Sequence, residues 1–255
     1  MHKSKKYIEL KIGDNILRMS DGIKTFVDEA NKKLEFTQAN PSDWVLLLGG
    51  DYSNWGIEFK GAFADAFEFA FDQRFNEFGL TGCLTLYETK IDDARIEVKD
   101  GGCEDSLNLV RVRGNDIRIS IANSFADALD ADFSTLTISD LNIENAGNDC
   151  FDVSGGIYIT ANARLKSCND KAISIGEMSS FEGGMINVDR AGIGISAKDS
   201  SRVLIEMLDA RGSSVCGEAK RKKQEFGGGF LAINETTCNS AFNKDRASII
   251  KVRDK

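Results

Sequence analysis

Carboxylates at a regular interval are the first chemistry this chain offers. Asp127 recurs as Asp149 and Asp130 as Asp152, the same distance along the chain in both cases. Asp105 precedes Asp127 by that interval again, and Asp170 follows Asp149 just short of it. Paired carboxyl groups roughly 6.5–9.5 Å apart leave room for a water, and can share general-acid and general-base work in inverting glycoside hydrolysis. Lys171, Glu177 and Lys198 follow in the same stretch, so cations are at hand to neutralise the carboxylates or an acidic sugar.

A period of about 22 residues is the mark of a solenoid, in which each coil buries its apolar face by stacking on its neighbours. From Gly82 onwards, short runs of alternating pattern are separated by Gly, Asn, Asp or Ser, as in Ile117–Ile121, Ala128–Phe133, Leu136–Ile143 and Phe151–Ser154. The regular Leu/Asn pattern of a leucine-rich repeat is absent. The expected fold is all-β, a right-handed parallel β-helix over 81–255. An irregular α/β cap over 1–80 would cover the open apolar end, with a helix within Ser20–Phe36. Over Ala62–Phe78, Phe63, Phe67, Phe71 and Phe75 recur every four residues as on a second helix, while Phe67, Phe69 and Phe71 also alternate as in a strand; the helix is the reading preferred.

In such a fold, equivalent residues of adjacent coils lie about 4.8 Å apart. Asp105, Asp127, Asp149 and Asp170 then form one column, and Asn108, Asp130 and Asp152 a second, with Asp132 and Ser154 beside it. Two carboxylates at that spacing repel by about 3–4 kcal/mol at an effective dielectric near 20. Lysines, cations, shared protons or backbone N–H donors must offset this, and calcium is the ion such a ladder would take. Corner aspartates also serve as Asx-turn acceptors, which accounts for the first column. Turn chemistry has no use for Asp130 and Asp132 on one strand face. The candidate catalytic residues are Asp127, Asp130, Asp149, Asp152, Lys171 and Lys198, and the candidate substrate-binding residues are Asp132, Asn148 and Glu177. The basic loop Lys220–Lys223 reads as solvated, or as a grip on an anionic glycan.

Composition narrows the choice further. The 255 residues carry a net charge of −8, which argues against a nucleic-acid partner. No apolar run approaches the roughly 18 residues of a membrane span. The N-terminus has positive charge without an apolar core, so it is not a signal peptide; the chain is either cytoplasmic or a piece of a longer secreted or surface protein. A single histidine, His2, excludes a Ser-His-Asp triad and a His-ligated metal. The six cysteines form no CxxC pair, and are expected as buried thiols, with disulfides as the alternative.

The series ADALD (126–130), GNDCFDVSG (147–155), DKAISIGE (170–177) and GIGISAKDS (192–200) resembles the pectinase-type glycoside hydrolases, polygalacturonases among them. That family's motifs run Asn-Thr-Asp, Gly-Asp-Asp-Cys, Gly-His-Gly-(Leu/Ile)-Ser-Ile-Gly and Arg-Ile-Lys on successive coils of a right-handed β-helix. By this resemblance Asp127 takes the first carboxylate, Asn148 and Asp149 the aspartate pair, Lys171 the histidine and Lys198 the lysine. The likeness runs from Ala126 to Ser200 and departs from the family at Asn148 and Lys171. It implies a polysaccharide or oligosaccharide ligand and hydrolase- or lyase-like chemistry. The two departures leave a non-catalytic binding module of a larger surface or envelope protein as the alternative.

Overall fold

The computed structural model describes residues 7–62 and 74–253. They form about ten stacked turns of a β-solenoid. Its strands arise from two-residue alternation: in β10 (Arg113–Ser124), Ile117, Ile119 and Ile121 point inward while Arg118 and Ser120 face out. The same rule holds in β12 (Thr135–Ala146), β16 (Arg202–Asp209) and the first halves of β14 (Ile157–Gly176) and β15 (Ser180–Lys198). Long strands such as β14 bend through the coil corner, so runs expected as separate strands, Ile157–Ala161 and Ala172–Gly176, belong to one.

Three parallel sheets result. One is β5 (Val45–Leu48), β7 (Gly82–Tyr87), β9 (Asp105–Val110), β11 (Asp127–Asp132) and β13 (Phe151–Ser154), continued by Lys171–Gly176 of β14, Ile193–Lys198 of β15, β17 (Val215–Lys220) and β19 (Ala241–Lys244). The second runs from β6 (Gly56–Lys60) through β8 (Arg95–Lys99) to the middles of β10, β12, β14 and β15. The third joins the starts of β10, β12, β14 and β15 to β16, β18 (Phe230–Thr236) and β20 (Ile249–Val252). Inward residues stack coil upon coil: Leu84, Leu107, Leu129, Phe151, Ile173 and Ile195 stand in register, all fully buried. Each contributes roughly 1.5–3 kcal/mol of apolar burial.

Over its described residues the N-terminal segment is β rather than α/β. β1 (Tyr7–Ile12) and β2 (Asn15–Ser20) form an antiparallel hairpin, and so do β3 (Ile23–Asp28) and β4 (Lys33–Gln38). β2 then pairs with β5 and β4 with β6, which seals the first coil. The helix expected within Ser20–Phe36 is therefore corrected. Asp28 accepts the Asn31 N–H at 3.0 Å and Lys32 takes φ 52°, so turn chemistry divides the segment. Leu34 and Phe36 bury at strand spacing. Of the second expected helix, Phe63–Gln73 lies outside the described residues. Its tail is a turn: Asn76 Oδ1 accepts the N–H groups of Phe78 and Leu80.

The cysteines are paired, not free thiols: Cys83–Cys103, Cys150–Cys168 and Cys216–Cys238. Each bridge spans 18 to 22 residues, which is close to one coil, so both ends meet at the same corner. Other coils fill that place with matched small pairs. Ser106 Oγ donates to Ser124 Oγ at 2.7 Å, and Ala128 and Ala146 occupy the equivalent positions one coil on.

Candidate functional site

The first sheet positions the acidic residues, and its outward face carries three columns. Asp105, Asp127, Asp149 and Lys171 make the first. Asp127 Oδ1 accepts the backbone N–H of Asp149 at 2.8 Å and the side-chain amide of Asn148 at 2.7 Å. Asp149 Oδ1 accepts the backbone N–H of Lys171 at 2.9 Å, with Lys171 Nζ at 3.4 Å. Asp127 and Asp149 do not close local Asx-turns. Each satisfies a backbone donor one coil further along, at a separation of 22 residues. Asp170 is not the fourth member of the column: the register to the preceding coil stays at 22 residues on both sides, Ala146 with Cys168 and Phe151 with Ile173, so Lys171 stands opposite Asp149 and Asp170 falls one residue short. Asp170 instead pairs with the Lys171 ammonium from its half-exposed side.

The second column is Asn108, Asp130, Asp152, Ser174, Ser196 and Glu218, in unbroken register. Asn108 Nδ2 donates to Asp130 Oδ2 at 3.2 Å. Lys198 Nζ donates to Ser174 Oγ at 2.6 Å and stands 3.7 Å from Asp152 Oδ1, which makes no hydrogen bond of its own. The third column is Asp132, Ser154, Gly176, Lys198 and Lys220. At its edge, Ser154 donates to Glu177, and Glu177 pairs with Lys223.

Crowding and burial set the proton affinities. Burial pushes Asp105 up to about 7, aided by Asp127, Glu104 and Asp132 and opposed by the Thr81 hydroxyl. Burial raises Asp127 to about 6 against the Asp149 N–H. Asp130 goes well above the usual carboxylate range, through burial first and then through Asp105, Asp132, Asp152 and Asp127. Burial, Asp152 and Glu177 lift Asp132 to about 6. Asp149 is raised as well, because its burial outweighs the attraction of Lys171. Burial works against the Lys171 ammonium, yet Asp170 and Asp149 together hold its proton more tightly than usual. Glu177 goes the other way: Lys223 and Ser154 overcome its burial and keep it ionised.

The structure thus brings Asp130, Asp132, Asp152 and Lys198 together as one cluster. Asp127, Asn148, Asp149 and Lys171 form a parallel strip committed to one another and to backbone N–H groups. Glu177 lies on the far side of column three. Sequence reasoning did not single out Ser174, which holds the Lys198 ammonium, or Lys223 as the partner of Glu177. Lys223 is brought in by Asp199, whose Oδ1 accepts the N–H groups of Lys222 at 2.6 Å and Lys223 at 2.8 Å. The signal was there: Asp199 precedes those residues by 23 and 24, again about one coil. Among the described residues, no group of three or more His, Cys, Asp or Glu side chains is placed to hold a metal ion.

An open trough of about 820 Å³ lies at another corner, lined by Asp100, Asn123, Asn145, Ser167 and Arg190 among others. These five residues all have positive φ and stack as a turn ladder, Asn145 donating to Asn123 and Asn123 to Asp100. Their amides serve one another, so the trough offers shape without convergent chemistry. No helix among the described residues is long and apolar enough to cross a membrane. Compared with family models, curated proteins and solved structures, the chain matches none of them.

Proposed function

We propose that this β-helix acts on a polysaccharide along the Asp130/Asp132/Asp152 face, with hydrolase-type acid–base chemistry. The observation that carries the reading is the placement of Asp132 and Asp152 on one strand face, with Lys198 beside Asp152. Asp132 lies one coil before Asp152 and two residues along the strand, a diagonal of about 8 Å by strand geometry. That span accommodates the water of an inverting mechanism. Asp132, raised to about 6, holds a proton to give to a leaving oxygen. Asp152, whose Oδ1 lies 3.7 Å from the Lys198 Nζ, is the group placed on the other side of that water, as its base. Asp132, expected from sequence as a substrate-binding residue, takes the acid role in this reading, and the charges of Asp152 and Glu177 help it keep its proton.

Release of reducing ends from a panel of uronate-containing glycans tests this. Asp132→Asn and Asp152→Asn are each expected to lower the rate at least about 100-fold. A wild type that neither cleaves nor binds any of these glycans refutes the reading.

A second reading has an observation of its own. Asp127, Asn148, Asp149 and Lys171, where the pectinase resemblance would place catalytic groups, are tied into structural hydrogen bonds. That favours a non-catalytic glycan-binding module, for which the same panel would show binding without product.

A further inference from the structure

We infer that Tyr87, Arg111 and Phe133 form a stacking subsite for a sugar ring bearing a carboxylate, bordering the acidic face. This deepens the functional reading above and rests on it. After column three six successive coils turn through a residue of positive φ: Glu88, Arg111, Phe133, Gly155, Glu177 and Asp199. Such a position suits Gly, Asn or Asp, and a bulky aromatic there carries strain. Phe133 nevertheless occupies it at φ 51° and remains 61% exposed, so the hydrophobic effect does not explain the choice.

The neighbouring coils are shaped around that ring. Gly155, one coil on, has φ 65°, and a Cβ there would meet the Phe133 ring at 2.7 Å. The ring therefore lies over bare backbone. One coil back, the Arg111 guanidinium sits 6.0 Å from the Phe133 ring centroid and 5.9 Å from that of Tyr87, and its Nη1 donates to the Tyr87 hydroxyl at 2.7 Å. Tyr87, Arg111 and Phe133 thus form a row across three successive coils, its middle member a half-exposed guanidinium whose nearest carboxylate, Glu88, is 3.7 Å away.

A flat apolar ring beside planar donors is the complement of a pyranose: its C–H face lies on the aromatic surface and an equatorial carboxylate meets the guanidinium fork. Asp132 immediately precedes Phe133 in the chain, so a saccharide threaded along the coil axis would pass from this platform onto the acid pair. Because the carboxylate of a uronate would meet Arg111 here, the subsite favours acidic over neutral glycans.

The test is calorimetric binding of a uronic-acid oligomer and of a neutral oligosaccharide of equal length. Phe133→Gly removes the ring and suits the turn, so its melting temperature is expected at or above that of the wild type. Its affinity for both oligomers is expected to fall roughly tenfold, while Phe133→Tyr retains it. Arg111→Gln is expected to lose the preference for the acidic oligomer and leave neutral binding unchanged. If the wild type binds these glycans and Phe133→Gly and Arg111→Gln bind them equally well, the subsite is wrong while the broader reading stands. If the wild type binds neither oligomer, both fall.

Discussion

Replacing Asp130 by Asn isolates the electrostatic cost of the acidic face. Asp130 stands in register with Asp152, about 4.8 Å away along the coil axis, with Asp105, Asp132 and Asp127 close enough to repel it. One unit-charge repulsion at that spacing is worth about 3.5 kcal/mol at an effective dielectric of 20. The wild-type side chain must bear that repulsion or keep a proton that the unfolded chain releases near pH 4. Because the folded group is raised, its favourable contribution is complete below about pH 4 and is lost as pH rises toward the folded value. An amide has nothing to lose, and its oxygen still accepts from Asn108. Asp130→Asn is therefore expected to match the wild type near pH 4 and to exceed it by about 2–4 kcal/mol at pH 8. Asp127 and Asp132, both near 6, impart a similar slope to both proteins, so the difference between the two curves is the readout. Urea denaturation midpoints at intervals between pH 4 and 8, with the disulfides intact, measure it. A gap that does not widen with pH, or an Asn variant less stable at pH 8, would refute the electrostatic account. A gain in stability with the geometry unchanged is what a strained functional cluster should show.

Two further outcomes follow from neighbouring features. Lys171→Met leaves the Asp149 side chain, only 5% exposed, without its cation; a loss of about 3 kcal/mol is expected at pH 7, shrinking toward pH 4 as Asp149 takes up a proton, and melting curves at both values would show it. Ser106→Cys with Ser124→Cys should form a fourth bridge in the corner ladder, since the two hydroxyls are 2.7 Å apart and share the 18-residue separation of Cys150 and Cys168. Thiol titration of the unfolded protein should then find no free sulfur, and stability should rise by about 3 kcal/mol; free thiols after oxidation would contradict the assigned register.

Much of the architecture was legible in one dimension because a solenoid converts sequence period directly into spatial neighbourhood. The interval of 22 residues placed Asp130 beside Asp152 and Asp127 one coil from Asp149, and the two-residue alternation of Ile117, Ile119 and Ile121 marked which side faces inward. The features that escaped depend on single-residue register and on how a corner is turned. The strict 22-residue register between Ala146 and Cys168 and between Phe151 and Ile173 set Lys171, not Asp170, opposite Asp149, so a supposed fourth carboxylate gave way to a counter-charge. The Asp28–Lys32 turn converted an expected helix into a hairpin. Cysteines 18 to 22 residues apart closed into bridges because that separation returns the chain to the same corner.

The opening carboxylates divide along the same line. Period and residue type by themselves determined that aspartates would stack on one sheet face with lysines near them. Only the tertiary structure decided that Asp127 and Asp149 serve backbone donors of the following coil, while Asp130, Asp132 and Asp152 crowd together beside Lys198. The reason is that a column position is set by residue count, whereas a carboxylate's task is set by which donors and charges the neighbouring coils turn toward it.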